Sequence, residues 1–369
     1  MVMIPYKPES LPLKKIDWPV FIRLIGPANA ARARFDGILQ GIINPSVLLS
    51  PLATQEAVLS SKIEGTISTL EEVLEFEASN GHDIEKNQDI REILNYRRAI
   101  WTGVDSLKER PISLNLILDL HHILMDSVRG RNKSRGRFRI IQNWIGSPGS
   151  PIAKATYIPP EPANLMGHMS DFERYIHYDE VDRLVQLAII HAQFELIHPF
   201  LDGNGRLGRM LVPLFLYEKG LLSSPMFYIS GYLESHRELY YERLKTVSEK
   251  GDWENWILFF LTAVIEQAKL NTEKAKAIIS LYETKKSKIS ALVRSQFSIQ
   301  AVDALFDRPI FKTTDFVERS KIPRPSALRI LNTLQKENIL VPLVQGSGRR
   351  ATVLMFAKLI AITEGRDVV

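Results

Sequence analysis

Apolar residues recur at three- and four-residue spacing through most of this 369-residue chain. That period builds helices and leaves little room for sheet. It predicts helices over residues 23–40, 51–64, 90–107, 113–128, 164–175, 181–197, 204–219, 237–249 and 253–280. One stretch breaks the pattern. Residues 138–160 place two short β-prone runs around a turn rich in Gly, Ser and Pro, a hairpin signal with a longer loop. A lone hairpin is marginal, so in a helical protein it is either packed down or used as a binding edge. There is no internal repeat.

A polar stretch dominated by Lys and Ser, residues 281–300, marks a domain boundary. After it the sequence predicts a helix over 312–319, a turn at Lys321-Ile-Pro-Arg, and a helix over 325–337. Two strands over 339–344 and 351–356 follow, joined by Gln-Gly-Ser-Gly-Arg-Arg. This is a helix-turn-helix followed by a wing. Residues 311–350 hold eight basic residues (Lys312, Arg319, Lys321, Arg324, Arg329, Lys336, Arg349, Arg350) and three acidic ones (Asp315, Glu318, Glu337). Their net charge of +5 equals that of the whole chain, so a basic module is joined to a neutral body. Arg324, Ser326 and Arg329 on the second helix and Arg349 and Arg350 on the wing suit DNA or another acidic partner. Winged helices also dock proteins, and that reading stays open.

Hydrophobic residues at 45% and charged residues at 24% exclude a disordered or collagen-like chain. The length suggests two or three domains. Cysteine is absent, which excludes disulfides, cysteine-ligated zinc, iron–sulfur clusters and a thiol nucleophile. No P-loop lysine motif or His-Glu-x-x-His occurs. The longest strongly apolar stretch, 256–265, is too short for a membrane helix and is bracketed by Glu254 and Glu266. The first residues, Met-Val-Met-Ile-Pro-Tyr-Lys, do not read as a signal peptide. A cytoplasmic protein without membrane contact is expected.

The chemistry concentrates in residues 197–209, Ile-His-Pro-Phe-Leu-Asp-Gly-Asn-Gly-Arg-Leu-Gly-Arg. Pro199 disfavours helical geometry at His198, so the preceding helix ends there. The turn Asp202-Gly203-Asn204-Gly205 opens directly into the next helix. N–H groups at a helix start attract anions, and glycines let a phosphate approach the backbone. Arg206 and Arg209 share one face of the first turns and are placed to clamp phosphate oxygens. Asp202 stands at the mouth of this anion site, where a carboxylate suits Mg²⁺. His198 is placed to take a proton from an incoming hydroxyl. Each feature alone reads as an ordinary helix end, turn or solvated charge. Their order within twelve residues singles the segment out.

This segment resembles the signature of the Fic family, His-x-Phe-x-Asp/Glu-Gly-Asn-Gly/Lys-Arg-x-x-Arg, at every defined position. The resemblance extends over residues 60–241. It includes a hairpin flap, matched by Asn143-Trp-Ile-Gly through Tyr157-Ile-Pro-Pro, and a Leu-His-x-x-Leu-Met stretch at 120–125. Most Fic proteins transfer AMP from ATP to a Ser, Thr or Tyr hydroxyl of a target protein. The resemblance then implies that His198 is the base that activates the hydroxyl for attack on the α-phosphorus. Asp202 would hold Mg²⁺ between the α- and β-phosphates, with Gly203, Asn204 and Gly205 as the anion hole. Arg206 and Arg209 would grip the β- and γ-phosphates, with Leu207 and Gly208 in the same nucleotide-binding run. Tyr240, preferred to Tyr241, would line the adenine pocket. The flap would hold an extended target segment along its open edge.

A second motif, Ser60-Ser61-Lys62-Ile63-Glu64-Gly65, resembles the family's inhibitory motif Ser/Thr-x-x-x-Glu-Gly/Asn. Ser60 and Glu64 share a helix face, and Gly65 suits a helix end. The resemblance implies that Glu64 pairs with Arg209, so that ATP binds in a non-productive pose. In some relatives the same glutamate supports removal of AMP.

The expected fold is mainly α, a Fic-type helical bundle with a β-hairpin flap plus a C-terminal winged helix-turn-helix domain. The expected division is an N-terminal helical region with the inhibitory helix (1–110), a Fic catalytic core (111–270), a helical linker (271–300) and the winged helix-turn-helix (301–369). The expected function is a self-inhibited, ATP- and Mg²⁺-dependent protein adenylyltransferase acting on a target protein or on itself. The rivals are a DNA-binding regulator with a nucleotide-sensing, non-catalytic Fic core, and a Fic enzyme that moves a different phosphate-containing group. An oligomer is compatible with the sequence. His191, seven residues before His198, reads as core, and the basic run Arg129, Arg131, Lys133, Arg135, Arg137 and Arg139 as a solvated loop or a target-steering patch.

Overall fold

A computed structural model of the chain describes residues 4–79, 86–126, 133–147, 149–346 and 351–366. Among these the chain is mainly α-helical with one small sheet. The first half runs α1 Trp18–Gln40, α2 Pro45–Leu48, α3 Ser50–Ile63, α4 Leu70–Ser79, α5 Lys86–Leu107, α6 Leu114–Leu124 and α7 Leu165–Ile176. The second runs α8 Arg183–Ile197, α9 Asn204–Glu218, α10 Ser230–Ser235, α11 Arg237–Lys250, α12 Trp253–Val293 and α13 Ser298–Asp307. Then come β1 Ile310–Lys312, α14 Thr313–Ser320, α15 Arg324–Lys336, β2 Val341–Val344, β3 Val353–Met355 and α16 Ala357–Glu364. No helix among the described residues is long and apolar enough to cross a membrane.

Two compact units emerge, and they do not follow the expected linear boundaries. The first holds the residues up to Asp36, Leu59–Gly65 and Asn95–Lys269. The second holds Gly37–Val58, Thr66–Leu94 and the chain from Leu270 onward.

In the first unit α8 is the central helix. Asp182 caps it, its Oδ1 accepting from the N–H groups of Leu184 and Val185 at 2.9 Å each. Every residue from Leu184 to Ile197 is buried except Glu195, as suits a helix that is apolar all round. α7, α9 and α11 pack against it. Among the described residues the expected hairpin over 138–160 shrinks to one bridge, Ile145 with Tyr157, closed by Ile145 N–H to the Tyr157 carbonyl at 2.9 Å. Pro151, Pro159 and Pro160 lack the N–H groups a longer ladder needs. A 3₁₀ turn, Ile152–Lys154, takes up part of the connection.

In the second unit β1, β3 and β2 form an antiparallel sheet in that order. Ile310 faces Met355 and Lys312 faces Val353 on one side, and Val341 faces Met355 on the other. Helix α14, a short turn, α15 and then β2 and β3 follow the element order predicted for a winged helix-turn-helix. Arg349 and Arg350 lie outside the described residues. α4 belongs here too. Its Leu70, Leu74 and Ala78 form one core with Ile310, Val353 and Ile360, which is why the division is not linear. The stretch 281–300, read as a domain boundary within a helical linker, is mostly packed helix. α12 continues to Val293, with Ile278, Leu281 and Ile289 buried and the Tyr282 hydroxyl donating to Asp303 at 2.6 Å.

Candidate active site

The α8–α9 turn is held by its own residues. His198 ends α8 in the left-handed region (φ 49°, ψ 61°). Asn204 then locks the turn: its Oδ1 accepts from the Phe200 N–H at 2.8 Å and its Nδ2 donates to the Phe200 carbonyl at 2.9 Å. The Asn204 side chain is thus spent on the fold, and a bound anion would meet this residue through its backbone. Gly203 has a φ of 78°, and a Cβ there would lie 2.9 Å from Met125 Sδ. Glycine is required on both counts.

His121 of α6 holds the turn from below. Its Nδ1 accepts from the Gly136 N–H at 3.0 Å, so its Nε2 carries the proton and donates to the Asp202 carbonyl at 3.1 Å. Its ring stacks on Phe200 at 3.7 Å. Burial pushes its pKa down to about 4, which keeps this tautomer neutral at neutral pH. The Asp202 carboxylate is half-exposed, with Oδ1 accepting from the Gly203 N–H at 2.6 Å and 3.4 Å from Arg206. Among the described residues no three His, Cys, Asp or Glu side chains could hold a metal ion by themselves. One carboxylate beside an anion site still fits Mg²⁺, which takes the rest of its shell from phosphates and water.

The His198 imidazole is held in one tautomer. Its Nδ1 lies 3.2 Å from the Glu195 carbonyl. A carbonyl only accepts, so Nδ1 carries the proton and Nε2 bears the lone pair. Burial lowers the pKa of the imidazole, with Arg139 adding to the effect and the Glu195 carbonyl, Glu64 and Asp202 opposing it. Arg139 fixes this helix end. Its Nε donates to the His198 carbonyl at 2.9 Å and its Nη2 to the Pro160 carbonyl at 2.6 Å. This corrects the reading of 129–139 as a solvated basic loop: Arg139 is buried, and Arg135 pairs with Asp126 at 2.8 Å. Arg129 and Arg131 lie outside the described residues. Arg139→Met is expected to cost about 3 kcal/mol of stability, because it strands buried carbonyls. Urea denaturation of variant and parent checks this.

Arg209 is buried and held through its Nε and Nη2. Its Nε donates to the Ser60 hydroxyl at 2.9 Å, and its Nη2 to the Ser60 carbonyl at 2.8 Å and to Glu64 Oε1 at 2.7 Å. Helix α3 stops just before Glu64, with Gly65 at φ 98°. The carboxylate then lies over α9 where Gly205 leaves room, since a Cβ at 205 would be 2.2 Å from Glu64 Oε1. Desolvation disfavours the charged form of Glu64, but Arg209, with Arg206 and His198, more than offsets it and holds the carboxyl below its usual range. The pair therefore stays ionised at neutral pH.

Glu64, His198, Gly205, Arg209 and Tyr240 line one cavity of about 630 Å³, a size that suits a small-molecule ligand. Asp202, Gly203, Asn204 and Arg206 form the turn and first helical residues beside it. Leu207 is buried away from it and Gly208 packs beneath Glu195. The Tyr240 hydroxyl is 3.0 Å from His191 Nε2, while His191 Nδ1 is 3.2 Å from the Gly208 carbonyl. Nδ1 must donate there, so Tyr240 donates to Nε2 and offers the cavity only its ring. His191 is a core residue stacked on Trp256. Tyr241 lines the cavity as well.

Glu195 is a cavity group that the sequence did not single out. Its Oε1 is shielded from solvent and has no hydrogen-bond partner among the described residues. A Cβ on Gly208 would come within 2.3 Å of that oxygen, so the pair Glu195 and Gly208 is sterically coupled. Burial pushes its pKa up to about 8, opposed by Arg209 and reinforced by Glu64. Nothing in the local sequence announces this, because Gly208 lies thirteen residues away across a helix interface.

Comparison with known proteins agrees with this geometry. A family model described as Fic/DOC family N-terminal matches residues 22–105, and one described as Fic/DOC family matches residues 111–216. Proteins named Protein adenylyltransferase Fic from Drosophila melanogaster and Drosophila erecta are 30% identical over 208 residues, which is 53% of this chain and 37% of theirs. The match thus spans well under half the length of these curated relatives. Among solved structures, a Fic family protein from Desulfovibrio desulfuricans aligns with a TM-score of 0.61 at 19% identity, covering 92% of this chain and 97% of that one. A Fic domain containing signaling protein from Bacteroides thetaiotaomicron aligns with a TM-score of 0.54 at 18% identity, over 68% of this chain and 97% of its own. By its matched domains, its signature turn and its fold, the chain belongs to the Fic/DOC family.

Proposed function

We propose that the chain is a protein adenylyltransferase that moves AMP from ATP to a hydroxyl of a target protein, itself included, and that Glu64 holds it in a weakly active state. One observation carries the reading: Glu64 occupies Arg209 inside the same cavity that His198 lines. A guanidinium bound by a carboxylate cannot also hold a terminal phosphate. The named relatives support adenylyl transfer at the level of the family.

The steps follow from the residues. The first turn of α9 and Arg206 receive the phosphates of ATP. Asp202 would hold the Mg²⁺ that accompanies the nucleotide, and the ion supplies charge neutralisation. His198 Nε2 takes the proton of the acceptor hydroxyl as its oxygen bonds to the α-phosphorus and the bond to pyrophosphate breaks. Positioning and electrostatics supply most of the acceleration. A sensing module without turnover would have no use for a neutral imidazole held in this tautomer.

Two measurements follow. Glu64→Gly protein given ATP labelled at the α-phosphate should acquire label, and ATP labelled at the γ-phosphate should leave it unlabelled. The reverse pattern would replace AMP transfer by phosphate transfer and sink the proposal. The pH dependence follows from the lowered pKa of His198. Its working form is neutral, so the rate rises with pH through a value below about 6.5, the usual value for histidine, and is level by pH 7. A rate still climbing steeply between pH 7 and pH 8 would mean that another group is the base.

A further inference from the structure

We propose that the helix-turn-helix of the second unit binds duplex DNA through the exposed face of α15, a function separate from AMP transfer. α14 and α15 are joined by Lys321, Ile322 and Pro323, with Lys321 in the left-handed region (φ 54°). Ala327, Ile330, Leu331 and Leu334 of α15 are buried. Arg324, Pro325, Leu328, Arg329, Asn332 and Lys336 are exposed, at the spacing of one helix face. α15 contains no acidic residue.

Charge is sorted in this module. Asp315 lies 2.9 Å from Arg319 and 3.7 Å from Arg308, and Asp307 lies 2.8 Å from Arg319. Glu337, just past α15, pairs with Lys288 at 3.8 Å. Of the acidic residues between 307 and 337, only Glu318 lacks a partner among the described residues. The cations Lys321, Arg324, Arg329 and Lys336 have no ion-pair partner among the described residues. The module thus neutralises most of its own carboxylates and leaves its positive charge on one face. An ordinary soluble surface intersperses the two signs.

Duplex DNA fits this face better than a protein does. It presents a negative charge about every 1.7 Å along its axis, and its major groove admits one α-helix. Lys321 and Arg324 at the start of α15, and Lys336 at its end, are placed for phosphates on either side of a groove. Arg329 and Asn332 sit mid-face and are side-chain types that bond purine edges in pairs, while the neighbouring Leu328 suits a thymine methyl. An apolar protein partner would have only Pro325 and Leu328 to grip among the exposed residues of α15.

The test uses the full chain without nucleotide and a fluorescent mixed-sequence DNA duplex, read by anisotropy over a series of salt concentrations. Binding is expected, with log K falling linearly against log salt at a slope of about −3 for three to four phosphate contacts. Arg324→Gln/Arg329→Gln should weaken it at least about tenfold while leaving the thermal melt unchanged. No binding at low salt overturns the proposal and leaves the face to an acidic protein. Equal affinity for heparin and the duplex, or binding unchanged in the double variant, overturns it as well.

Discussion

Glu64→Gly is expected to raise the rate of AMP transfer about 10- to 30-fold over the parent protein. Hydrogen bonds to charged groups contribute about 1.5–3 kcal/mol, and each 1.4 kcal/mol is about a factor of ten. The Glu64 side chain is 39% exposed, so solvent screens the pair and the lower part of that range applies. The Ser60 contacts remain in the variant and keep Arg209 aimed into the cavity through its Nε and Nη2. Removing Glu64 therefore frees one hydrogen-bonding position for a terminal phosphate without collapsing the guanidinium. Glu64→Gln should fall between parent and Glu64→Gly, because it keeps the shape and loses the charge. A rate unchanged by Glu64→Gly, on an acceptor that the enzyme does modify, would contradict inhibition through Arg209.

His198→Ala in the Glu64→Gly background is expected to lower the rate by about 10²- to 10⁴-fold, the usual contribution of a general base. Affinity for ATP should stay nearly unchanged, because the phosphates would be held by the α9 turn, Arg206 and Arg209 rather than by the imidazole. The effect is thus predicted in kcat with KM for ATP preserved. A variant that loses ATP binding along with activity would place His198 in the structural support of the turn instead.

The legibility of the site followed its spacing in the chain. The segment from His198 to Arg209 stands out because its imidazole, carboxylate, glycines and arginines are contiguous, and the local rules for a helix end, a turn and a helix start act within such a segment. Glu64 could be linked to Arg209, 145 residues away, only because its own motif is compact. Arg139, His121 and Glu195 were missed or misread because their roles arise across packed elements. Arg139 looks like one cation in a basic run until its guanidinium is seen on the carbonyls of His198 and Pro160.

The fold shows the same division. α8, α9 and α11 are legible to within a few residues, since each carries periodicity or a helix-end signal, whereas the six-residue α10 is too short to show a period. α4 was missed, although Thr69 and Glu72 make a capping box there, with the Glu72 N–H on the Thr69 hydroxyl at 3.2 Å and the Thr69 N–H on Glu72 at 3.0 Å. Its place in the second unit depends on contacts with β1 and β3, which no local pattern encodes. The pattern of α12 reads only to 280 in the sequence, because beyond it a Lys- and Ser-rich surface hides the widely spaced buried positions Leu281 and Ile289.

The most direct measurement is the intact mass of Glu64→Gly protein after incubation with Mg²⁺ and ATP, beside Glu64→Gly/His198→Ala treated identically. The account predicts a species heavier by one AMP residue in the first sample and none in the second. An adduct of a single phosphate, or an AMP adduct that persists without His198, would contradict it.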